Sequence, residues 1–364
     1  MGNKKKIGIL TLHRALNFGA VWQCWALKIA CERMGHAAET IDYTPFGLHT
    51  IRGSLHHKPL VVYSHIKCII QFNRFVKYRL NPTQYTESYD WIMTNAPQDD
   101  IYIVGSDTVW CKSVVGSFMN YYLLNFAPDY VKRIAYAAST GGNPIEITKD
   151  QENELRKFSA ISVREKQSVS SVQSFVKIPV ADVCDPSLLL TEEQYQSVEQ
   201  KPFWLPKQYI VYLDLAGDSL CEESVNILKK KLNLPIINLT GKHKRWARYN
   251  YLAPTPEQWL YILHHAAYVC TNSFHGVCFS IIYNRPFLCC AAQVGGRAST
   301  NGRVQNLLEQ THFSNRYITK VSQVTNELIC ETIDMGQNTK YVEAYRKRSL
   351  VWLKTAIENE TNKE

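Results

Sequence analysis

The segment Thr271-Asn272-Ser273-Phe274-His275-Gly276 sets a hydroxyl and an imidazole two residues apart, just ahead of an apolar run. With Ser273 as helix cap, His275 falls in the first turn and Gly276 permits close approach of a ligand. Hydroxyl, imidazole and unsatisfied backbone N–H groups then meet at one helix start, which suits an oxyanion or a phosphate. Ser162-Val163-Arg164-Glu165 places an arginine behind an apolar strand, where its planar fork can grip a carboxylate or phosphate. Glu165 is then either its ion-pair partner or a first-turn residue favoured by the helix dipole. Gly105-Ser106-Asp107 offers a hydroxyl and a carboxylate, and His13 to Ala20 brings Asn17 and Gly19 to the start of another helix. Gly295-Gly296-Arg297 and Asn301-Gly302-Arg303 put two cations into a loop able to close over an anion. Each of these residues also has an ordinary structural use, as cap, Asx turn or intradomain ion pair.

Such turns need strands and helices to hold them, and the sequence alternates between the two. Apolar strand patterns are expected over Lys6–Leu12, Thr40–Tyr43, Asp100–Val104, Arg133–Ala138, Ala160–Val163 and Val180–Val183. Helical spacing links Val21, Trp22, Trp25, Ala26, Ile29, Ala30 and Met34, and Leu60–Arg79 reads as a basic amphipathic helix. After Asp185-Pro186 a polar stretch with Pro202 and Pro206 marks a boundary. Strands at Tyr209–Leu213, Pro235–Leu239, Tyr268–Cys270 and Phe287–Cys290 follow, with helices at Cys221–Leu232, Pro256–Ala266 and His275–Tyr283. Strands separated by helices of this length require parallel sheets covered on both faces. The expected architecture is α/β: two doubly wound Rossmann-like domains, 1–190 and 205–335, facing a cleft, with a C-terminal helix at 340–360 packing back. Ligands of such sheets sit beyond the carboxyl ends of the strands, where the turns above lie.

The 364 residues suit two domains and include no apolar run approaching about 18 residues, so a soluble, cytoplasmic protein is expected. The eleven cysteines are scattered without a CxxC, which favours small buried hydrophobes over a disulfide framework or a zinc cage. Basic residues exceed acidic ones by 41 to 32, for a net charge of +9. The excess concentrates in the acid-free stretch from Tyr43 to Thr86 and in Lys242, His243, Lys244, Arg245 and Arg248. Such fields attract phosphorylated metabolites, acidic lipid surfaces or nucleic acid. The basic residues lack the aromatic interleaving of a nucleic-acid surface, so no nucleic-acid partner is expected. No GxGxxG follows the first strand, which disfavours a dehydrogenase.

In order and spacing, a set of motifs resembles the polysaccharide pyruvyl transferase family over roughly Lys6 to Leu308. They are Leu12…Asn17-Phe18-Gly19-Ala20-Val21…Gln23, Val104-Gly105-Ser106-Asp107…Trp110 and Tyr136-Ala137-Ala138-Ser139. Ser162-Val163-Arg164-Glu165, Asp185-Pro186…Leu188-Leu189, Ser273-Phe274-His275-Gly276, Arg285-Pro286 and Arg303-Val304 continue the set. The resemblance implies a GT-B-like fold and a transferase. It would move the enolpyruvyl group of phosphoenolpyruvate onto a sugar of a cell-surface polysaccharide precursor, such as a capsule or exopolysaccharide. The product is a pyruvate ketal, and phosphate is released without cofactor or metal. Arg164, His275 and Arg303 fall on donor-gripping positions, with Ser273 and Arg297 beside them, and Asn17, Gly19 and Ser106 would line the cleft. A proton must reach the terminal methylene. Some members carry an acidic residue in the first strand–helix turn, but this chain has none there. Asp107 is therefore the expected acid, with Glu165, His13 and His275 the other titratable groups. A glycan acceptor is implied, and a lipid-linked one would give the basic face of the 60–79 helix a role at the inner membrane surface. The rival reading is a nucleotide-sugar-dependent GT-B glycosyltransferase, which predicts a ribose- or base-binding carboxylate in the second domain.

Overall fold

Among the described residues, short apolar runs bounded by turns form twelve strands, most of whose residues are buried. The computed structural model describes residues 3–44, 59–293, 301–331 and 335–359. Two compact units emerge. The first comprises 1–50, 72–190 and 345–364, and the second 51–71 and 191–344. The division between the units falls at 190/191, and of the described residues 59–71 group with the second unit and 345–359 with the first.

The first unit contains β1 (Lys6–Leu10), α1 (Phe18–Arg33), β2 (Ala37–Thr40) and the part of α2 (Pro59–Arg79) from Phe72 on, whose Phe72 and Phe75 rings meet Phe18 and Trp22 of α1. It continues through α3 (Tyr89–Thr94), β3 (Ile101–Val104), α4 (Lys112–Val115), α5 (Met119–Tyr122), β4 (Lys132–Ala138) and α6 (Lys149–Leu155). β5 (Ala160–Val163), α7 (Ser168–Gln173) and β6 (Val180–Asp182) complete it. Its six strands are all parallel, in the order β2-β1-β3-β4-β5-β6. The chain leaves β1 toward β2 and then returns to the other side of β1 to add β3. That reversal is a topological switch point, where Leu10 and Val104 end in register. β2 lies earlier than the expected Thr40–Tyr43, and from Thr40 on the chain instead makes isolated bridges with Pro82 and Thr86.

The second unit contains α8 (Glu192–Gln196), β7 (Ile210–Leu213), α9 (Ser219–Leu232), β8 (Ile236–Asn238), β9 (Tyr249–Asn250) and α10 (Pro256–His264). β10 (Tyr268–Thr271), α11 (Phe274–Ile282), β11 (Phe287–Cys290), α12 (Asn301–Gln310), β12 (Tyr317–Ile318) and α13 (Asn326–Cys330) follow. The order β12-β11-β10-β7-β8-β9, again parallel, puts this sheet's switch point between β7 and β10. Leu213 and Thr271 are paired there.

The last helix, α14 (Met335–Glu358), returns to the first unit through its C-terminal half. Ser349 Oγ accepts the Cys184 N–H at 2.9 Å, Arg346 donates to the Leu188 carbonyl at 2.7 Å, and Trp352 lies 6.0 Å from Tyr136. All eleven cysteines are free thiols, nine of them buried. Among the described residues no helix is long and apolar enough to cross a membrane.

Candidate functional site

Each switch point holds a cluster of polar side chains, beginning in the second unit with the turn from β10 into α11. Ser273 has extended backbone geometry and caps α11 by accepting the Gly276 N–H at 3.3 Å. Its own N–H donates to Thr271 Oγ1 at 2.9 Å, and that hydroxyl donates to the Leu213 carbonyl of β7 at 2.7 Å. A Cβ on Gly276 would stand 2.6 Å from Thr271 Oγ1, so only glycine lets the helix start this close to the sheet. His275 is the second residue of α11, buried, with its ring edge-on to Phe274 at 5.2 Å. The nine-residue α11 thus brings its N-terminal dipole, a hydroxyl and an imidazole to the β7/β10 crevice.

The neighbouring turn is tied to the same place. Asn272 Nδ2 donates to Asp214 Oδ1 at 2.5 Å, and its Oδ1 accepts the Leu215 N–H at 2.7 Å. Asp214 also accepts the Ala216 and Gly217 N–H groups and the Tyr212 hydroxyl. Asp218 accepts the Gln293 N–H at 2.8 Å. Asp214 is thus saturated within its own unit, whereas Asp218 Oδ1 is buried with no hydrogen-bond partner among the described residues. Arg303 is the third residue of α12, not a loop residue as expected. Asn301 closes that helix start onto the end of β11 through two bonds to Ala292, at 2.9 and 3.0 Å. Arg297 lies outside the described residues, as do His49, Arg52, His56, His57 and Lys58 of the basic stretch.

In the first unit the expected residues occupy two linked turns. Asn17 caps α1 by accepting the Gly19 N–H at 2.8 Å. Thr11 Oγ1 donates to the Ser106 carbonyl at 2.9 Å and receives Gln23 Nε2 at 2.8 Å, joining the β1 exit to the β3 exit. Ser106 Oγ donates to Asp185 Oδ2 at 2.9 Å. Asp107 is half-buried and adopts a φ of 71°, a left-handed conformation that aspartate tolerates better than most residues. Its carboxylate accepts the Thr108 N–H and its carbonyl accepts from Val109 and Ser139.

Arg164 is buried in a three-way ion cluster. Its Nε lies 3.2 Å from Glu165 Oε1 and its Nη1 lies 2.9 Å from Asp185 Oδ2, both carboxylates being buried. Burial opposes its charge, but Glu165, Asp185 and Asp107 outweigh that and raise its pKa further. Ser139 Oγ donates to Glu165 at 2.5 Å. A bulge in β4, where Ala137 has a φ of 51°, carries Ser139 there, and Ser162 Oγ bridges the bulge between Ala135 and Ala137. The structure thus gathers Ser106, Arg164 and Glu165 with Asp185 and Ser139, two residues that the sequence did not single out as site members.

Asp42 was also missed. It lies just past β2, and its carboxylate meets His13 Nε2 at 3.0 Å and the Arg14 guanidinium in a bidentate pair. Burial works against its charge, yet His13 and Arg14 prevail and hold its carboxyl below the usual carboxylate range. The first turn, which lacks a carboxylate of its own, thus receives one from the segment just past β2. Among the described residues two groups have ligand atoms close enough to share a metal ion. They are Cys221, Cys270 and Cys290, and Glu199, His264 and His265, and neither includes a residue of the two turn clusters.

A family model for polysaccharide pyruvyl transferases matches residues 17–293. No curated protein matches the chain. Among solved structures, a "putative UDP-N-acetylglucosamine 2-epimerase from Listeria monocytogenes" aligns with a TM-score of 0.54 at 12% identity, over 98% of this chain and 97% of that one. Arabidopsis thaliana UGT89C1 complexed with UDP-L-rhamnose gives 0.52 at 10% identity, over 98% and 100%. At these identities the likeness is one of fold, the two-unit α/β architecture of GT-B glycosyltransferases and epimerases.

Proposed function

The chain belongs to the polysaccharide pyruvyl transferase family, and from that premise we propose that it moves the enolpyruvyl group of phosphoenolpyruvate onto a glycan acceptor as a ketal. The observation that carries this reading is the α11 start at the β7/β10 switch point, with Ser273, His275 and the glycine that lets them approach. A donor bearing a carboxylate and a phosphate requires oriented N–H groups and cations. The helix start, with the Ser273 hydroxyl and the His275 imidazole, offers the first, and Arg303 would supply a cation.

The proposed sequence begins with proton transfer to the methylene carbon, which leaves positive charge on the carbon bearing phosphate. A sugar hydroxyl adds there, phosphate leaves with its bridging oxygen, and a second hydroxyl of the sugar closes the ketal. One hydroxyl proton restores the acid and the other departs on phosphate. Donors aimed at the leaving phosphate stabilise charge as it accumulates. Asp42 is held ionised by its two cations and is a poor acid, and Glu165 is buried against Arg164. Half-buried Asp107 is the carboxylate left with an open side. Arg164, already flanked by two carboxylates, fixes the β3, β5 and β6 turns around it and is a positioning residue.

Phosphate release is the test, measured with phosphoenolpyruvate and nitrophenyl or lipid-linked glycosides. His275→Ala is expected to abolish release with Tm unchanged, and Asp107→Asn to lower kcat by about 10²–10⁴. Turnover of a UDP-sugar without phosphoenolpyruvate would replace this reading with the glycosyltransferase one.

A further inference from the structure

The second unit exposes an aromatic tip that its fold does not need. In Lys201-Pro202-Phe203-Trp204-Leu205-Pro206-Lys207, Phe203 is 107% exposed and Trp204 47%. Adjacent large apolar side chains held in water at this exposure mark a contact surface more often than a packing error. The tip is anchored from behind. The Trp204 ring rests against Tyr249 of the edge strand β9 at 4.4 Å, and the Tyr251 hydroxyl donates to the Trp204 carbonyl. Arg248 lies over the Tyr249 ring at 5.4 Å, so the tip and the basic β8–β9 connection share this edge of the sheet.

The charge there has one sign. Neither 200–213 nor 239–256 contains an aspartate or glutamate. Lys201, Lys207, Lys242, Arg245 and Arg248 are exposed and form no ion pair among the described residues, whereas Lys244 turns inward to Glu222. We propose that this edge seats the protein on an anionic bilayer, with Phe203 and Trp204 entering the boundary between headgroups and acyl chains and the cations against lipid phosphates. Aromatic side chains favour that boundary, and basic residues within a Debye length of the surface add to the attraction. The flanking prolines stiffen the tip and reduce the ordering cost of insertion. Base stacking on the exposed Phe203 ring is the competing use of this edge, and the single-stranded DNA arm of the experiment below separates the two. The surface stands on the second unit alone and does not depend on the pyruvyl-transfer reading.

Co-sedimentation of the full chain with phosphatidylcholine vesicles, with and without phosphatidylglycerol, tests it. Binding is expected only to the anionic vesicles and is expected to weaken as salt rises. Phe203→Ser, at a fully exposed position, should weaken partitioning several-fold with Tm unchanged, and adding Trp204→Ser should bring the loss to about tenfold or more. The triple change Lys67→Ala, Arg74→Ala, Lys77→Ala on α2 should leave most binding in place. The proposal is overturned if the Phe203 and Trp204 changes have no effect, or if the α2 changes alone abolish binding. It is equally overturned if single-stranded DNA binds with the same dependence on Phe203, or if Phe203 governs self-association instead. Phosphate release from a water-soluble glycoside, measured on the same variants, should be unaltered. That separates failure of this surface from failure of the transferase reading.

Discussion

His13 presents Nδ1 to the Thr11 carbonyl and Nε2 to the Asp42 carboxylate, each at 3.0 Å, so its partners assign a proton to both nitrogens. With Arg14 added, two cations converge on one buried carboxylate. Asp42→Ala would leave both unpaired, and a loss of about 3–5 kcal/mol in unfolding free energy is expected. Because the folded carboxyl is held below its unfolded value, its stabilisation is present above pH about 4 and lost as pH falls through the folded value. A denaturant series giving a loss below about 1 kcal/mol would remove Asp42 from this role. Asp99 has the opposite sign. Burial and the Glu39 charge push it up to about 6, against the Lys6 pair. The folded state then holds that proton more tightly than the unfolded state, and stability declines as pH rises from about 4 through 6. Asp99→Asn should raise Tm at about pH 8, with the gain vanishing toward pH 4. Equal gains at both ends would refute the assignment. Arg164→Ala strands Glu165 and Asp185 in the interior, so about 3–5 kcal/mol of stability should be lost. A fall in activity in that variant must therefore be read beside its Tm.

At the scale of elements, the α11 start combines a cap and a close approach that can be removed separately. Ser273→Ala should cost about 1 kcal/mol by freeing one helix N–H. Gly276→Ala drives a methyl against Thr271 Oγ1 at 2.6 Å and Leu213 Cδ2 at 3.0 Å. Both atoms belong to the strand-end scaffold, so about 1–3 kcal/mol is expected, with phosphate release falling further than stability. Release unaffected by Gly276→Ala would detach this helix start from the chemistry. The helix and most strands could be read from sequence, because apolar runs of four or more residues ended at Gly, Pro or polar turns. β9 and β12 could not: two residues carry no period. Arg303 was misplaced because Gly295, Gly296 and Gly302 read as loop, while the bonds from Asn301 to Ala292 start a helix there. Glu165 was legible as a neighbour of Arg164. Asp42 and Asp185 were not, since their partners lie 28 or 29 and 21 residues away and only the sheet order brings them together.

At the scale of the whole chain, a net charge of +9 would attract the proposed phosphoenolpyruvate donor, which carries about three negative charges at neutral pH. The positive excess is not consumed by the fold, since Lys201, Lys242, Arg245 and Arg248 are exposed without an ion pair among the described residues. Long-range attraction of this kind raises the encounter rate and is screened within about 8–10 Å at moderate salt. Ser273 and His275 at the α11 start are buried, so salt would screen an anion held there less. Raising salt should therefore lower kcat/KM for phosphoenolpyruvate by roughly three- to tenfold while kcat changes little. The exposed cations of the β8–β9 connection and the His275 turn separate in this experiment. Lys242→Gln with Arg245→Gln should flatten the salt dependence and leave kcat in place, whereas His275→Ala removes turnover at every salt concentration. A kcat/KM indifferent to salt would mean that the charge excess serves surfaces other than the donor's approach.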